Sequence, residues 1–181
     1  LKAVLGRELT KPSVEAFDQL PITNLSSPLE VSVENTEAAP RYTGVCLAGL
    51  TVGESPEWLK EKLQAVGVRS INNVVDITNF ICHELGQPLH AFDAAKITGN
   101  KVIVKNLPEG TPFVTLDGVE RKLSERDLMI CNAEEPMCIG GVFGGTKSGV
   151  NETTTAIFLE SAYFSPASIR KTGTYHTLKT R

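Results

Sequence analysis

Apolar residues recur at helical spacing between residues 72 and 86, and this is the clearest pattern in the chain. They predict one apolar stripe on a helix, formed by Val74, Ile77, Ile81 and Leu85. Asn72 or Asn73 can cap the start of this helix, because a short side-chain oxygen accepts from the free N–H groups of the first turn. Gly86 suits a left-handed residue after the end, and Pro88 cannot continue the helix.

The opposite face of this predicted helix is polar and leads into a histidine. It carries Asp76, Thr78, Asn79 and His83. After the helix ends, His90 lies in a short segment between apolar residues, where its ring can be held in one orientation. A polar helix face followed by a fixed histidine is compatible with half of a binding site. The structural alternative is a histidine hydrogen-bonded by its neighbours.

The first half of the chain predicts few other regular elements. Residues 1–10 have the pattern of the end of a helix, and the proline-rich residues 11–40 indicate a surface linker with one strand at 29–33. We therefore separate residues 1–40, helix tail and linker, from a domain over residues 41–181. In that domain, residues 42–52 predict a strand, and Ser55 can cap a helix with Pro56 at its first position. The apolar stripe of that helix is Trp58, Leu59, Leu63 and Val66.

The second half is rich in short β-forming segments. Asp117-Gly118 is a strong hairpin turn between two of them. The predicted strands are residues 101–105, 111–116, 119–123, 127–131, 137–139 and 156–159. Ser165-Pro166 opens a last helix over residues 167–172. An early helical segment followed by a strand-rich half predicts an α+β fold.

Composition limits the possible partners. The formal net charge is −3, so the chain lacks the Lys and Arg excess that neutralises phosphates, and we expect weak RNA binding by this chain alone. No apolar run is long enough to span a bilayer. The four cysteines form no C-x-x-C pair, which favours free thiols in the cytoplasm and no metal site. The chain begins with Leu1, which we interpret as a segment of a longer protein.

Two further features contain candidate chemistry. Glu160 ends an apolar strand, and on its own it is interpreted as a strand-end carboxylate that faces water. The glycine-rich residues 140–145 are not a nucleotide-binding P-loop, because no G-K-[ST] follows them. Their glycines, Gly144 and Gly145 among them, allow either tight turns or close approach of the backbone to a ligand.

The stretch VVDITN (residues 74–79) followed by GQPLHAFD (86–93) resembles the signature of the editing module of the bacterial phenylalanine–tRNA ligase beta subunit. The resemblance continues in Pro40-Arg41-Tyr42, in residues 55–59, in the glycine-rich segment, in residues 148–150 and in LESA (159–162). It covers residues 40 to 180. It implies a layered β/β/α sandwich that hydrolyses mischarged tyrosyl-tRNA(Phe).

The resemblance also implies roles for particular residues. His90 and Glu160 would be catalytic, with Glu160 contacting the phenolic hydroxyl of misplaced tyrosine. The substrate pocket would be lined by Thr78, Asn79, Gly144, Gly145 and Thr180. The family segment around Thr180 usually runs T-D-A-S, whereas Arg181 follows here. Asp76 and Asp93 are interpreted as structural.

The parent enzyme implied by the resemblance pairs two alpha with two beta subunits and uses ATP and magnesium at an alpha-subunit site. This segment would need no cofactor, and its partners would be the tRNA(Phe) acceptor end carrying tyrosine and the alpha subunit. Two alternatives remain open. One is a structural or tRNA-positioning module without editing activity, and the other is a free-standing relative that binds another ligand.

Overall fold

The computed structural model describes residues 2–18 and 29–179, so the predicted pocket residue Thr180 lies outside the described residues. The α-helices are α1 (Lys2–Leu5), α2 (Glu15–Asp18), α3 (Glu57–Ala65), α4 (Asn73–Leu85) and α5 (Pro166–Tyr175). The first strands are β1 (Glu30–Val33), β2 (Arg41–Ala48), β3 (Leu89–Asp93), β4 (Lys101–Asn106) and β5 (Pro112–Val114). The others are β6 (Glu120–Lys122), β7 (Leu128–Cys131), β8 (Pro136–Ile139), β9 (Phe143–Gly144) and β10 (Ala156–Tyr163).

Two larger sheets and one hairpin contain all the strands of the described residues. The first sheet has five strands in the order β1-β4-β7-β8-β9, and β1 pairs with β4 in parallel. The second sheet has three strands in the order β2-β10-β3, with β10 antiparallel to both neighbours. The pair β5-β6 forms the hairpin predicted around Asp117-Gly118.

Three apolar clusters show how the layers stack. One cluster fills the space between the two sheets and includes Phe92, Val102, Ile130 and Phe158. A second lies between the three-stranded sheet and helix α4, with Val74 packed on Ile157 and Ala91. A third covers the other face of the five-stranded sheet. The order is therefore sheet, sheet, helix, and the α+β, β/β/α prediction is confirmed.

Helix α4 has the predicted ends but a different buried face. The Asn72 side chain accepts from the backbone N–H of Val75, and Gly86 adopts the left-handed conformation at the end. Of the predicted apolar stripe, Ile77 is 49% and Leu85 55% exposed, so the stripe is wrong at these two positions. Among the described residues of the helix, the fully buried ones are Val74 and Asp76.

Asp76 explains why α4 buries a different face from the predicted one, because its side chain binds the two segments that precede the helix. Its carboxylate accepts from the hydroxyls of Ser55 and Ser70, and from the backbone N–H of Ile71 at 2.9 Å. Ser55 is therefore not the helix cap that we predicted, and Pro56 occupies the cap position of α3. The structural role expected for Asp76 is confirmed.

Replacing Asp76 with alanine should lower the free energy of unfolding by roughly 3 kcal/mol, because three donors lose their acceptor in a buried place. Urea unfolding followed by the fluorescence of Trp58, the chain's single tryptophan, measures this. Glu84→Ala on the exposed side of the same helix is the matched control and should change the midpoint little. Equal midpoints for both variants would contradict the anchor.

The segment after α4 is more regular than the sequence indicated. Residues 89–93, for which the sequence predicted no regular element, form a strand, and β10 runs to Tyr163, beyond its predicted end. Asp93 ends β3 and is structural as expected, since it caps a short 3-10 helix and accepts from the Thr154 hydroxyl at 2.8 Å. The added length of β10 matters, because it brings Glu160 inside the sheet.

Candidate functional site

Glu160 lies on the central strand of the three-stranded sheet and is only 5% exposed. The register places it opposite Gly44 on β2 and opposite His90 on β3. Successive side chains of a strand alternate between faces, so Glu160 points the same way as Phe158, into the space between the sheets. It is therefore not the solvent-facing strand end that the sequence alone favoured.

Tyr42 provides the hydrogen bond to this buried carboxyl. Its hydroxyl donates to Oε2 of Glu160 at 2.7 Å. Within residues 2–18 and 29–179, no other donor reaches the Glu160 side chain, and Oε1 accepts no hydrogen bond. Oε1 has unused lone pairs and keeps some contact with solvent, so it is a ready acceptor for a ligand hydroxyl.

The surroundings bring the ionisation of the Glu160 carboxyl into the physiological pH range. Burial raises the pKa of Glu160 to about 7, while the hydrogen bond from Tyr42 acts in the opposite direction. Burial, and next the neighbouring carboxylate, raise the pKa of the Tyr42 hydroxyl far above its ordinary value. Tyr42 therefore keeps its proton and remains the donor of the pair.

His90 stands beside Glu160 on the edge strand of the sheet. Its ring packs edge-on against the Phe92 ring, with centroids 4.5 Å apart. Burial lowers the pKa of His90 to about 4. The imidazole is consequently neutral near pH 7 and can accept a proton or hydrogen bond through one ring nitrogen while donating through the other.

Gly144 approaches the same site from the facing sheet. It pairs with Cys138 across β8 and β9. A Cβ at Gly144 would lie 3.3 Å from Cε1 of His90 and 2.9 Å from Cδ1 of Leu116. The φ angle of Gly144 is not positive, so a side chain there would be opposed by crowding from these two neighbours and not by backbone strain.

Gly145 has a different neighbourhood. A Cβ there would lie 2.7 Å from the carbonyl oxygen of Met137 and 2.7 Å from the ring of Phe113. These contacts belong to the packing of β8 and of the hairpin. Its predicted role in substrate binding stays a prediction.

Thr78 and Asn79 lie on helix α4, which packs on the opposite face of the three-stranded sheet from the one that carries the His90 ring. Both are half-buried, and the Thr78 hydroxyl donates to the carbonyl of Val75 at 2.7 Å. The structure thus brings together His90, Glu160 and Gly144, while the contribution of Thr78 and Asn79 to the pocket stays a prediction.

The described residues of the site contain no cluster of metal ligands. Among residues 2–18 and 29–179, no three His, Cys, Asp or Glu side chains are grouped to hold a metal ion. Open depressions lie at residues 67–71 and at residues 34–37 beside Asn106, and neither borders Glu160.

Three residues of the site have no signal in the sequence that marks them as functional: Tyr42, Leu116 and Cys138. Burial, and next the nearby Glu160, raise the pKa of the Cys138 thiol, so this cysteine stays protonated. Tyr42 was noted only as part of a motif, because a single tyrosine in a strand gives no sign of its partner 118 positions away. The register of β10 against β2 is the missing information.

Together these features define a layered β/β/α domain with a polar site between its sheets. A family model described as the B3/4 domain matches residues 38–181, and the chain belongs to this family.

Curated relatives carry one common name. The chain is 64% identical to the phenylalanine–tRNA ligase beta subunit of Bacteroides thetaiotaomicron, over 95% of this chain and 21% of that protein. It is 56% identical to the beta subunit of Porphyromonas gingivalis, over 93% of this chain and 21% of that protein. The chain thus spans about a fifth of the length of these relatives.

A solved structure supports the fold. An N-terminal fragment of the phenylalanyl-tRNA synthetase beta subunit from Pyrococcus horikoshii superposes with a TM-score of 0.59, at 15% identity, over 83% of this chain and 48% of that one. In the described residues, no helix is long and apolar enough to cross a membrane.

Proposed function

We propose that this chain is the editing segment of a phenylalanine–tRNA ligase beta subunit and hydrolyses tyrosyl-tRNA(Phe). The observation that carries the proposal is the buried Glu160 carboxyl, which has one oxygen bonded by Tyr42 and the other open, beside the neutral His90. The high identity to beta subunits of that ligase supports it.

An editing site compensates for a physical limit of the pocket that selects phenylalanine for attachment. A pocket built for phenylalanine rejects tyrosine by only about 100-fold, because a hydrophobic pocket cannot strongly exclude an added hydroxyl. A site with a buried acceptor reverses the preference, since phenylalanine leaves that acceptor unpaired. Glu160 supplies such an acceptor, and the tyrosine hydroxyl would donate to its Oε1.

The hydrolysis needs little more than placement. The water oxygen attacks the ester carbonyl carbon, the bond from that carbon to the ribose oxygen breaks, and the ribose oxygen takes up a proton from the water to become a hydroxyl. A neutral His90 can orient the water or accept its proton. Gly144 has no side chain to crowd the imidazole, where even a Cβ would lie 3.3 Å from the ring. Correct positioning can supply most of the rate, because the ester is already activated.

The remaining functions of the proposed enzyme lie outside this segment. Attachment of phenylalanine with ATP and magnesium would take place on the alpha subunit, in an assembly of two alpha and two beta subunits in the cytoplasm. Delivery of the tRNA acceptor end would fall to those other parts, since this chain is acidic overall.

One observation favours the rival function, a structural or tRNA-positioning module without hydrolysis. Glu160 is only 5% exposed and already bonded to Tyr42, as in a closed structural network. A module without hydrolysis would give no role to the open Oε1 of Glu160.

The deciding experiment supplies preformed tyrosyl-tRNA(Phe) and phenylalanyl-tRNA(Phe) to the complete enzyme and follows release of each amino acid. Faster release of tyrosine than of phenylalanine supports editing. Equal release at the rate of buffer alone would leave the structural module as the function.

The preference for tyrosine should rise as pH increases through about 7. Glu160 ionises over that range, and a carboxylate accepts a phenol hydrogen bond more strongly than a neutral carboxyl does. The ratio of tyrosine to phenylalanine release cancels the general alkaline lability of the ester. A ratio that is constant between pH 5.5 and 8.5 would show that ionisation of Glu160 is irrelevant.

The isolated chain should bind tRNA weakly. With a net charge of −3, the chain has no excess of Lys and Arg to neutralise phosphates and release counterions from RNA. Filter binding at physiological salt should therefore show no saturation at micromolar protein. Submicromolar binding that weakens with added salt would mean that a local basic surface outweighs the overall charge.

A further inference from the structure

The row of polar side chains across the three-stranded sheet has an order that bears on specificity. Tyr42 on β2, Glu160 on β10 and His90 on β3 all lie on the face that looks toward the other sheet. His90 is directly opposite Glu160, whereas Tyr42 is opposite Ala162 and reaches the carboxyl diagonally. Tyr42 occupies one side of the carboxyl, through Oε2, and His90 stands on the strand at the other side. The Glu160 carboxyl therefore lies between the strand that carries Tyr42 and the strand that carries His90.

We propose that Tyr42 is a positioning residue for tyrosine selectivity, which holds Glu160 so that Oε1 alone is presented to the substrate hydroxyl. The inference rests on the proposed editing function. Tyr42 acts through Glu160 and does not itself contact the substrate.

The packing of Tyr42 makes it a fixed donor. Its ring lies against Phe164, with centroids 6.4 Å apart, and contacts the apolar cluster between the sheets. The terminal torsion of a glutamate is broad, so without a fixed partner its carboxyl plane rotates. A donor held at 2.7 Å removes that freedom before the ligand arrives. An acceptor oriented in advance loses less entropy on binding, and the gain applies only to a ligand that has a hydroxyl.

Tyr42 also blocks a competing hydrogen bond. If Oε2 were open, a water or the substrate's amino group could bond there and let phenylalanyl substrates satisfy the carboxyl. With Oε2 taken, a phenylalanine side chain leaves Oε1 unpaired, which is the penalty that selectivity needs.

The same hydrogen bond affects ionisation. It lowers the pKa of Glu160 against the larger effect of burial. Loss of the Tyr42 hydroxyl should therefore move the pH at which the tyrosine preference appears to higher values. A role of Tyr42 in apolar packing alone, without the hydrogen bond, would not move that midpoint.

The test compares Tyr42→Phe with the unaltered complete enzyme. Release of tyrosine and of phenylalanine from their tRNA(Phe) esters is measured from pH 5.5 to 9. We expect the preference for tyrosine at pH 7 to fall about fivefold to tenfold, the size of one hydrogen bond, and the midpoint of its pH profile to move upward. The absolute release of phenylalanine should not fall.

Tyr163→Phe is the matched control. Tyr163 lies at the end of β10, opposite Arg41 and next to the Tyr42 pair, but it is 57% exposed. Its substitution removes the same hydroxyl from the same pair of strands and should leave both the preference and the midpoint unchanged. A thermal melt of each variant shows whether the fold is retained.

The outcomes separate the two proposals. If the unaltered enzyme releases tyrosine no faster than phenylalanine, editing itself is wrong and the inference falls with it. If the unaltered enzyme edits and Tyr42→Phe keeps the same preference and midpoint, only the role of Tyr42 is wrong. Equal loss of tyrosine and phenylalanine release in Tyr42→Phe, with an unchanged midpoint, would also overturn it, since this is the result of general damage.

Discussion

Replacing Glu160 with alanine in the complete enzyme is expected to reduce the preference for tyrosine release by about 10-fold to 100-fold. The size is that of a hydrogen bond to a charged group, about 1.5–3 kcal/mol. Release of phenylalanine should change much less, because its ring offers no hydroxyl to the carboxyl. Deacylation of both aminoacyl-tRNAs, followed in parallel, measures the ratio.

Two further measurements sharpen this experiment. Attachment of phenylalanine by the same variant should proceed at its normal rate, because the proposed synthetic site lies on the other subunit. Glu160→Gln keeps the shape and a neutral acceptor for the Tyr42 hydroxyl, so it should fall between the unaltered enzyme and Glu160→Ala. If Glu160→Ala clears tyrosyl-tRNA(Phe) at the normal rate, Glu160 has no part in recognition.

Gly144→Val should reduce hydrolysis of both aminoacyl-tRNAs by about 100-fold or more. Its Cβ alone would lie 3.3 Å from the His90 ring and 2.9 Å from Leu116, and the two methyl groups extend farther. Displacing a catalytic group by about 1 Å can cost 100-fold in rate. Single-turnover deacylation of the tyrosyl and phenylalanyl esters checks the expectation.

The control for Gly144→Val is Gly53→Val. Gly53 also lacks a positive φ, and a Cβ there meets no atom within 4 Å. Both variants gain the same side chain, so a difference between their hydrolysis rates is due to the position of the substitution and not to valine itself. Melting temperatures must accompany the rates. Near-normal, tyrosine-selective hydrolysis by a folded Gly144→Val protein would place the pocket elsewhere.

Local patterns predicted those parts of the fold that local chemistry determines. The cap at Asn72, the stop at Gly86 and the hairpin at Asp117-Gly118 depend on residues a few positions apart, and the structure has them. The buried face of α4 was partly wrong because Asp76 has three donors outside the helix. Apolar periodicity cannot register a carboxylate that is buried by its partners.

The same distinction between local and long-range information applies to the candidate site. Motif resemblance identified His90, Glu160 and Gly144, but not which of them touch. Their proximity follows from the register of β10 with β3 and from the edge position of β9 in the facing sheet. Tyr42 depends on the register with β2 and was missed for that reason. Such registers are set by whole-sheet packing, because a shift by one residue turns every side chain to the other face.

The Tyr42–Glu160 hydrogen bond joins positions 118 residues apart in the chain, and this separation has a consequence for synthesis. At about 5–20 residues per second, a ribosome needs roughly 6 to 24 s between adding the two residues. Strand β2 therefore waits without its neighbour β10 while the five-stranded sheet is completed, since every strand of that sheet precedes β10. During that interval the unpaired edge of β2 is exposed to other nascent chains, and a pause before residue 156 would extend this period of vulnerability.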